Sequence, residues 1–181
     1  MAIATIQNKV KVYNPYALYV TPWTSETTKG TDTYKLDEVI RDTTTITQDD
    51  PEETKIENEF GSAPIINATT LGSYQFSADV TEMSPELLQK LCGFRVDDAN
   101  EKAYAPETYT ALYAEIALVF KAVGGKYIAA ILPKVQLNSK ATLDSLNSNM
   151  GRITLAGTGL NATVDGKTTP FVLDTNFELP A

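Results

Sequence analysis

Apolar and polar residues alternate along much of this chain, and the clearest alternation runs from Ser73 to Val80. Every second residue from Tyr74 onward is apolar, and the residues between them are polar. Because successive side chains of a strand point to opposite faces, this pattern predicts a half-buried strand.

A short helix is predicted directly after this strand, at about residues 84–92. Ser84 can cap the first N–H groups, Pro85 suits the first turn, and Gly93 suits a left-handed residue that ends the helix. The residues of its apolar stripe, which we expect to pack against the rest of the fold, are Leu87, Leu88, Leu91 and Cys92.

The longest alternating segments are residues 109–123 and 126–138, and Gly124-Gly125 between them is typical of a two-residue hairpin turn. Both faces of the first segment carry apolar residues, so part of each face must be covered. Pro133 predicts a bulge or an edge position in the second segment.

Asp165-Gly166 is a further hairpin signal. Residues 95–108 and 137–150 are polar and are predicted as connections. The other predicted strands are residues 2–12, 16–20, 34–40, 152–163, 168–173 and 176–179.

Acidic residues are concentrated at about residues 37–61. Nine carboxylates lie there against Arg41 and Lys55, a net charge of −7, whereas the whole chain has −8. Asp50-Pro51 is a turn signal, and alternation over residues 53–60 predicts a charged strand after it. We therefore expect a long acidic hairpin or loop excursion with its tip near residues 48–52.

Together these elements predict a mainly β protein of roughly eight to ten strands. The expected fold is a β-sandwich or a partly closed β-barrel, with one flanking α-helix and the acidic excursion. A chain of 181 residues is expected to form a single domain over residues 1–181.

The only cysteine, Cys92, lies on the apolar stripe of the helix. It can form no internal disulfide, so a reducing compartment and an unreactive thiol are predicted. The N-terminus has no signal-peptide pattern, and no stretch approaches the ~20 apolar residues of a membrane span. We expect a soluble protein that is not exported by that route and has no membrane span.

Residues that usually carry catalysis are scarce. The chain has no histidine, which is the commonest general base and the commonest metal ligand. The acidic run at residues 49–53 lacks the spaced ligands and central glycine of a calcium loop. Glu52 and Glu53 are adjacent on a predicted strand, so they would point to opposite faces and not converge as an acid/base pair. We expect no enzyme activity, no metal site and no cofactor.

The acidic charge also opposes binding to DNA, because phosphates repel carboxylates. Sequence-specific binding or coating of DNA is therefore not expected. The charge is compatible with a protein past which DNA slides.

The order of the segments resembles a known family. The acidic excursion TITQDDPEETKIENEF precedes DVTEMSPELLQKLCGF, which is followed by a two-stranded run and the segment GRITLAGTGLNATVDGKTTPFVL. This arrangement, over residues 16–173, resembles the tail tube proteins (major tail proteins) of tailed bacteriophages, as a pattern without a diagnostic motif. That family is similar in fold to the inner-tube proteins of type VI secretion and other contractile injection systems, with a β-sandwich or barrel and a flanking helix.

The resemblance implies a structural protein of the virion tail, made and assembled in the host cytoplasm. Subunits of that family form hexameric rings that stack into a hollow tube for DNA delivery. The implied partners are further copies of the chain and other tail proteins: the tail tip or baseplate, the tape measure, the terminator and, in a contractile tail, the sheath. DNA passes through the tube without sequence-specific binding.

Carried over to this chain, the resemblance makes the acidic excursion an inter-subunit arm. The arm candidates are Asp49, Asp50, Glu52, Glu53, Lys55 and Ile56. The candidates for lining the lumen or contacting the next ring are Glu57, Glu59 and Asp79, although alternation does not say which polar face looks into the bore. An acidic bore would keep DNA from adhering. The acidic arm is expected to meet a cation of its partner, and the candidates are Lys9, Lys11, Lys134 and Lys140.

A different class fits the same composition: a monomeric β-sandwich module that binds carbohydrate or decorates a surface. Its candidate binding residues are the loop aromatics Trp23, Tyr104 and Tyr109, although such residues more often pack than bind. Self-assembly separates the two classes, because a tube subunit needs interfaces on two opposite faces and a ring contact that closes by rotation.

Overall fold

The computed structural model describes residues 15–57, 64–122, 125–142 and 151–180. Fifteen strands and one helix lie within these residues, so the predicted mainly β class with a single helix is confirmed. The elements are β1 (Pro15–Pro22), β2 (Tyr34–Leu36), β3 (Thr45–Gln48), β4 (Glu52–Glu57), β5 (Pro64–Thr70), β6 (Tyr74–Val80), α1 (Pro85–Cys92), β7 (Arg95–Asp97), β8 (Lys102–Tyr104), β9 (Leu112–Lys121), β10 (Tyr127–Leu137), β11 (Lys140–Thr142), β12 (Arg152–Gly159), β13 (Ala162–Val164), β14 (Lys167–Thr169) and β15 (Val172–Phe177).

One large antiparallel sheet organises the molecule. Its strands run in the order β2-β1-β9-β10-β12-β6-β3, with β11 beside β12 and β15 beside β10. The first half of β10 pairs with β15 and the second half with β12. Between the two halves, the register against β9 shifts between Leu132 and Val135. Pro133 lies in this bulge, as predicted, because proline has no N–H for a ladder hydrogen bond.

The chain after β2 joins the β2 side of this sheet to the end of β6. The N–H of Ile40 donates to the carbonyl oxygen of Asp79 at 2.8 Å, and the N–H of Thr81 donates to that of Glu38 at 2.9 Å. An isolated bridge joins Val39 to Val80 between these two bonds. The sheet is thus an open, sandwich-like arrangement in which a short segment links β2 to β6. The strand predicted over residues 34–40 is shorter in the structure, where β2 ends at Leu36 and only an isolated bridge follows at Val39.

The main core lies on the inner face of the sheet. Helix α1 covers it, with Leu91 buried and Leu87, Leu88 and Cys92 packed against the same cluster. The buried valine, leucine, isoleucine and phenylalanine side chains that the strands contribute are Leu18, Val20, Leu36, Phe76, Val80, Ile116, Leu118, Leu132, Val135, Leu137, Ile153 and Leu155.

Local capping fixes the length of α1. The Ser84 hydroxyl oxygen accepts the N–H of Leu87 at 3.1 Å. Gly93 ends the helix with φ of 75°, and its N–H donates to the carbonyl of Gln89 at 3.1 Å. Both residues act as the sequence predicted.

A second, smaller apolar cluster lies on the opposite face of β1, β9 and β10. Its buried members are Ala17, Tyr19, Ala117, Val119 and Ala129, and Phe177 and Leu179 near the C-terminus pack against them. This cluster explains why both faces of β9 carry apolar residues.

Several predicted connections differ from the structure. Five residues, 122–126, and not two, lie between β9 and β10. The N–H of Ala122 donates to the carbonyl of Lys126 at 2.8 Å. The predicted loop at 95–108 contains the hairpin β7–β8, and the predicted connection at 137–150 contains β11.

Asp165 and Gly166 form the predicted tight turn, with φ of 50° and 76°. The predicted strand at 2–12 lies outside the described residues.

Across the described ranges, no helix is both long and apolar enough to cross a membrane.

Candidate functional site

The acidic segment divides between two sheets. β3 pairs with β6 in the large sheet, whereas β4 pairs with β5 in a separate two-stranded sheet. We call β4 and β5 together the acidic hairpin. The predicted tip near residues 48–52 is therefore wrong: those residues lie at the root of the acidic hairpin, where β3 ends and β4 begins.

The predicted arm residues are distributed between this root and β4. Asp49 and Asp50 are exposed at the root, and Glu52 and Glu53 are exposed at the start of β4. Farther along β4, the backbones of Lys55 and Ile56 pair with Asn67 and Ile66, and that of Glu57 pairs with Pro64. Glu59, the remaining candidate from this segment, lies outside the described residues.

The root is tied to β6 by several hydrogen bonds. The N–H of Asp49 donates to the carbonyl of Ser73 at 2.9 Å. Its carboxylate oxygen Oδ2 accepts from Gln75 Nε2 at 2.8 Å and from Ser73 Oγ at 2.9 Å. These two side-chain donors, Gln75 first, lower the pKa of Asp49.

A second candidate surface is the outer side of β3, β6 and β12 with the end of β10. The strand registers place one set of polar side chains on this side, and we call it the polar face. Its members are Thr45, Thr47, Gln75, Ser77, Asp79, Gln136, Thr154 and Thr158. All of them remain partly or fully accessible to solvent.

Asp79, the predicted lumen or ring-contact residue in this set, is held by its neighbours. Its Oδ1 accepts from Thr154 Oγ1 at 2.6 Å, and its Oδ2 lies 3.7 Å from Arg152 Nε. That distance is too long for a hydrogen bond, and the buried Nε of Arg152 has no hydrogen-bond partner. The negative charge of Asp79 is therefore partly compensated by Arg152.

Other charged groups beside the polar face are also compensated. Glu115 accepts a hydrogen bond from Lys29 at 2.7 Å. The ammonium of Lys134 lies 4.7 Å from the ring centre of Tyr113 and 5.2 Å from that of Trp23. The described part of this surface is thus rich in hydroxyl and amide groups and is not strongly acidic.

The three aromatic residues of the carbohydrate-binding hypothesis have separate environments. Tyr109 is 69% exposed and Tyr104 is 49% exposed, whereas Trp23 is only partly accessible and lies against Lys134. The hydroxyl of Tyr109 donates to the carbonyl of Leu137 at 3.3 Å. No ring contact joins these three described residues, so they do not form one stacking platform.

Within the ranges that the structure describes, no group of three or more cysteine, aspartate or glutamate residues is placed to hold a metal ion. A scan against models of protein families gave no match, and neither did a search of curated proteins. The function proposed for this chain therefore rests on its own residues and fold.

Proposed function

We propose that this chain is a structural subunit of a bacteriophage tail tube, which assembles into stacked hexameric rings around a conduit for DNA. The observation that carries the proposal is the acidic hairpin, which leaves the large sheet and pairs only with itself among the described strands. A two-stranded hairpin is marginally stable alone in water. Contact with a second subunit would supply the packing that such a hairpin needs.

The polar face supports the second half of the proposal, a bore through which DNA moves. DNA binds proteins mainly through contacts between its phosphates and clustered cations. On this surface Arg152 lies beside Asp79 and Lys29 is paired with Glu115. The other two cations, Lys134 and Lys140, lie separately at its border, and the remaining groups are neutral. Because its cations are not clustered, such a surface can be hydrated without binding the phosphates of DNA tightly. An acidic lining would depend on Glu57 and Glu59.

Ring formation requires a contact that repeats by rotation. The large sheet ends at β2 on one side and β3 on the other. Strand edges carry backbone donors and acceptors that a neighbouring chain can use. In the proposed ring, the edge of one subunit faces the opposite edge of the next, which is a heterologous contact that closes on itself.

The acidic hairpin needs a basic partner surface. Lys134 and Lys140 border the polar face, where Lys140 lies opposite Thr154 in the register. If that face lines the bore, these two lysines point away from a neighbouring ring. Lys9 and Lys11, which lie outside the described residues, are then the favoured partners among the predicted lysines.

As a tail tube subunit, the chain would contact the tail tip or baseplate, the tape measure and the terminator, and the sheath in a contractile tail. It would be found in the virion and, during assembly, in the host cytoplasm. It would act without catalysis and without a cofactor.

Excision of the acidic hairpin tests this proposal. The hydrogen bond between Asp49 and Ser73 holds the two ends of the excised segment close together. A short glycine-serine linker in place of residues 52–70 should therefore leave cooperative unfolding intact. Sedimentation velocity should show polymers of the native chain and only monomers of the excised chain.

The matched control is the double variant Thr69→Ala, Thr70→Ala, which changes exposed residues of β5 and keeps every charge. It should polymerise like the native chain. Polymers of normal size from the excised chain would show that the hairpin is not an inter-subunit arm.

A further inference from the structure

We propose that Asp49 clamps the root of the acidic hairpin to β6 and thereby sets the direction in which the hairpin leaves the large sheet. The clamp is inferred from geometry alone. Its consequence for assembly rests on the proposed function, because direction matters only if the hairpin reaches a neighbouring subunit.

The backbone gives the first part of the clamp. The register of β3 against β6 ends with Gln48 opposite Tyr74. The hydrogen bond from the N–H of Asp49 to the carbonyl of Ser73 then extends this ladder by one step. Three residues later β4 begins and takes a different partner, β5. Asp49 is thus the last residue held by the large sheet before the chain enters the hairpin.

The side chains give the second part. The carboxylate of Asp49 accepts from Ser73 and Gln75, and the Oε1 of Gln75 in turn accepts from Thr158 Oγ1 at 3.0 Å. This relay crosses from the root of the hairpin over β6 to β12. Hydrogen bonds to an ionised acceptor are stronger than those between neutral groups, so the carboxylate is a suitable anchor.

Gly72 gives the third part. A Cβ atom at this position would lie 1.8 Å from the carbonyl oxygen of Asp49 and 2.9 Å from that of Asp50. Only glycine allows the incoming and outgoing chains to approach so closely. The root is therefore held by close backbone packing as well as by hydrogen bonds.

A small change at the root has a large effect at the far end. The six residues of β4 span roughly 20 Å at about 3.3 Å per residue. A rotation of about 20° at Asp49 would move the end of β4 by roughly 7 Å, given that length. Such a displacement exceeds the tolerance of a specific contact between subunits.

Distances between two spin labels measure this direction. One label is placed in the acidic hairpin (Thr54→Cys) and one on β13 (Thr163→Cys), in a Cys92→Ser background. Both sites are exposed. Labelled chain is diluted with unlabelled chain, so that only distances within one chain are recorded. The doubly labelled chain with no change at the root of the acidic hairpin should give one narrow distribution of distances between the two labels.

Loss of the clamp should change this distribution in two ways. Asp49→Ala and Gln75→Ala should widen it at least twofold, because the hairpin then samples several directions. Gly72→Ala should shift its mean by several ångströms, because the two chains must separate. Ser77→Ala, on the same strand and face but outside the clamp, should leave the distribution unchanged.

A native mean and width in the double variant Asp49→Ala, Gln75→Ala would overturn the clamp. Asp49→Asn keeps the size of the side chain and one acceptor oxygen, so it should give an intermediate width and provides the test if the alanine variants do not fold. Failure of the native chain to form tubes would refute the proposed function but not the clamp, which the distances decide independently. Wide distributions together with normal tubes would support the clamp and show that assembly does not depend on hairpin direction.

Discussion

At the scale of single residues, a few buried side chains decide how α1 is held against the sheet. Leu91 is the buried residue of the helix, at 2% exposure, and it joins the core that the strands build. Ser84 and Gly93 set the two ends of the helix but lie outside this core. The attachment of the helix therefore depends most on Leu91.

Leu91→Ala should lower the free energy of unfolding by about 3 kcal/mol, because it removes buried methyl groups and leaves a cavity. Leu71→Ala is the matched control, since Leu71 is 79% exposed and its truncation leaves no cavity. Urea denaturation of both variants measures the difference. Equal unfolding free energies for the two variants would mean that Leu91 does not pack α1 against the core.

Asp49 should make the root of the acidic hairpin less stable at acidic pH. Its pKa is lowered in the folded chain by the bonds from Gln75 and Ser73, so it contributes stability above the pKa of an unfolded aspartate, ~3.9. This contribution is lost as the pH falls from that value through the lowered folded pKa. The carboxyl signal of Asp49 in an NMR titration should have its midpoint below ~3.9. A midpoint at or above that value would contradict the hydrogen bonds to the carboxylate.

The thiol of Cys92 should react slowly. Burial raises its pKa to about 11, so little thiolate exists near neutral pH. At pH 8 its reaction with a disulfide reagent should be on the order of 100-fold slower than that of an exposed cysteine in a Thr54→Cys, Cys92→Ser chain. Equal rates would show that the helix opens readily from the sheet.

At the scale of secondary-structure elements, the sequence predicted strands better than their partners. Alternation at residues 73–80 and the caps of α1 are local signals, and the structure has both elements within one residue of the prediction. Alternation at 53–60 likewise predicted β4. It carried no information on whether β4 pairs with β3 or with β5, because pairing depends on residues distant in sequence.

For the candidate site as well, the sequence predicts which residues of a strand are polar but not which residues they contact. The polar alternate residues of β6, including Gln75 and Asp79, follow from the sequence alone. Their contacts with Asp49, Thr154 and Thr158 require the pairing of β6 with β3 and β12, which no local pattern specifies. The hairpin β7–β8 was missed because strands of three residues are too short to show a period.

The acidic hairpin should be less protected from hydrogen exchange than the large sheet in the free subunit. It has two strands of its own, whereas β9 has a partner on each side and buried residues along most of its length. In dilute monomer, backbone amides of β4 and β5 should exchange with solvent at least ~100-fold faster than those of β9, since they open locally. Assembly should slow the exchange of the hairpin most. Equal protection in the monomer would contradict the separation of the two sheets.

At the scale of the whole molecule, the acidic hairpin and the polar face differ in charge. The segment at residues 37–59 carries a net −7 of the chain's −8. In the structure, β4 places part of this charge on the hairpin, while the polar face of the large sheet has its carboxylates beside cations. The net charge of −8 makes whole subunits repel one another. Added salt should therefore promote assembly, because it screens this long-range repulsion more than it weakens a close contact between the acidic hairpin and lysines of a partner.

Electron microscopy of the purified chain tests the proposed tail tube most directly. Negatively stained samples, concentrated at about 0.1 M salt where the screening length is about 10 Å, would be compared with dilute samples at low salt. We expect hollow tubes or rings with rotational symmetry, more numerous at the higher salt. Monomers alone at every salt and protein concentration would contradict self-assembly into a tube.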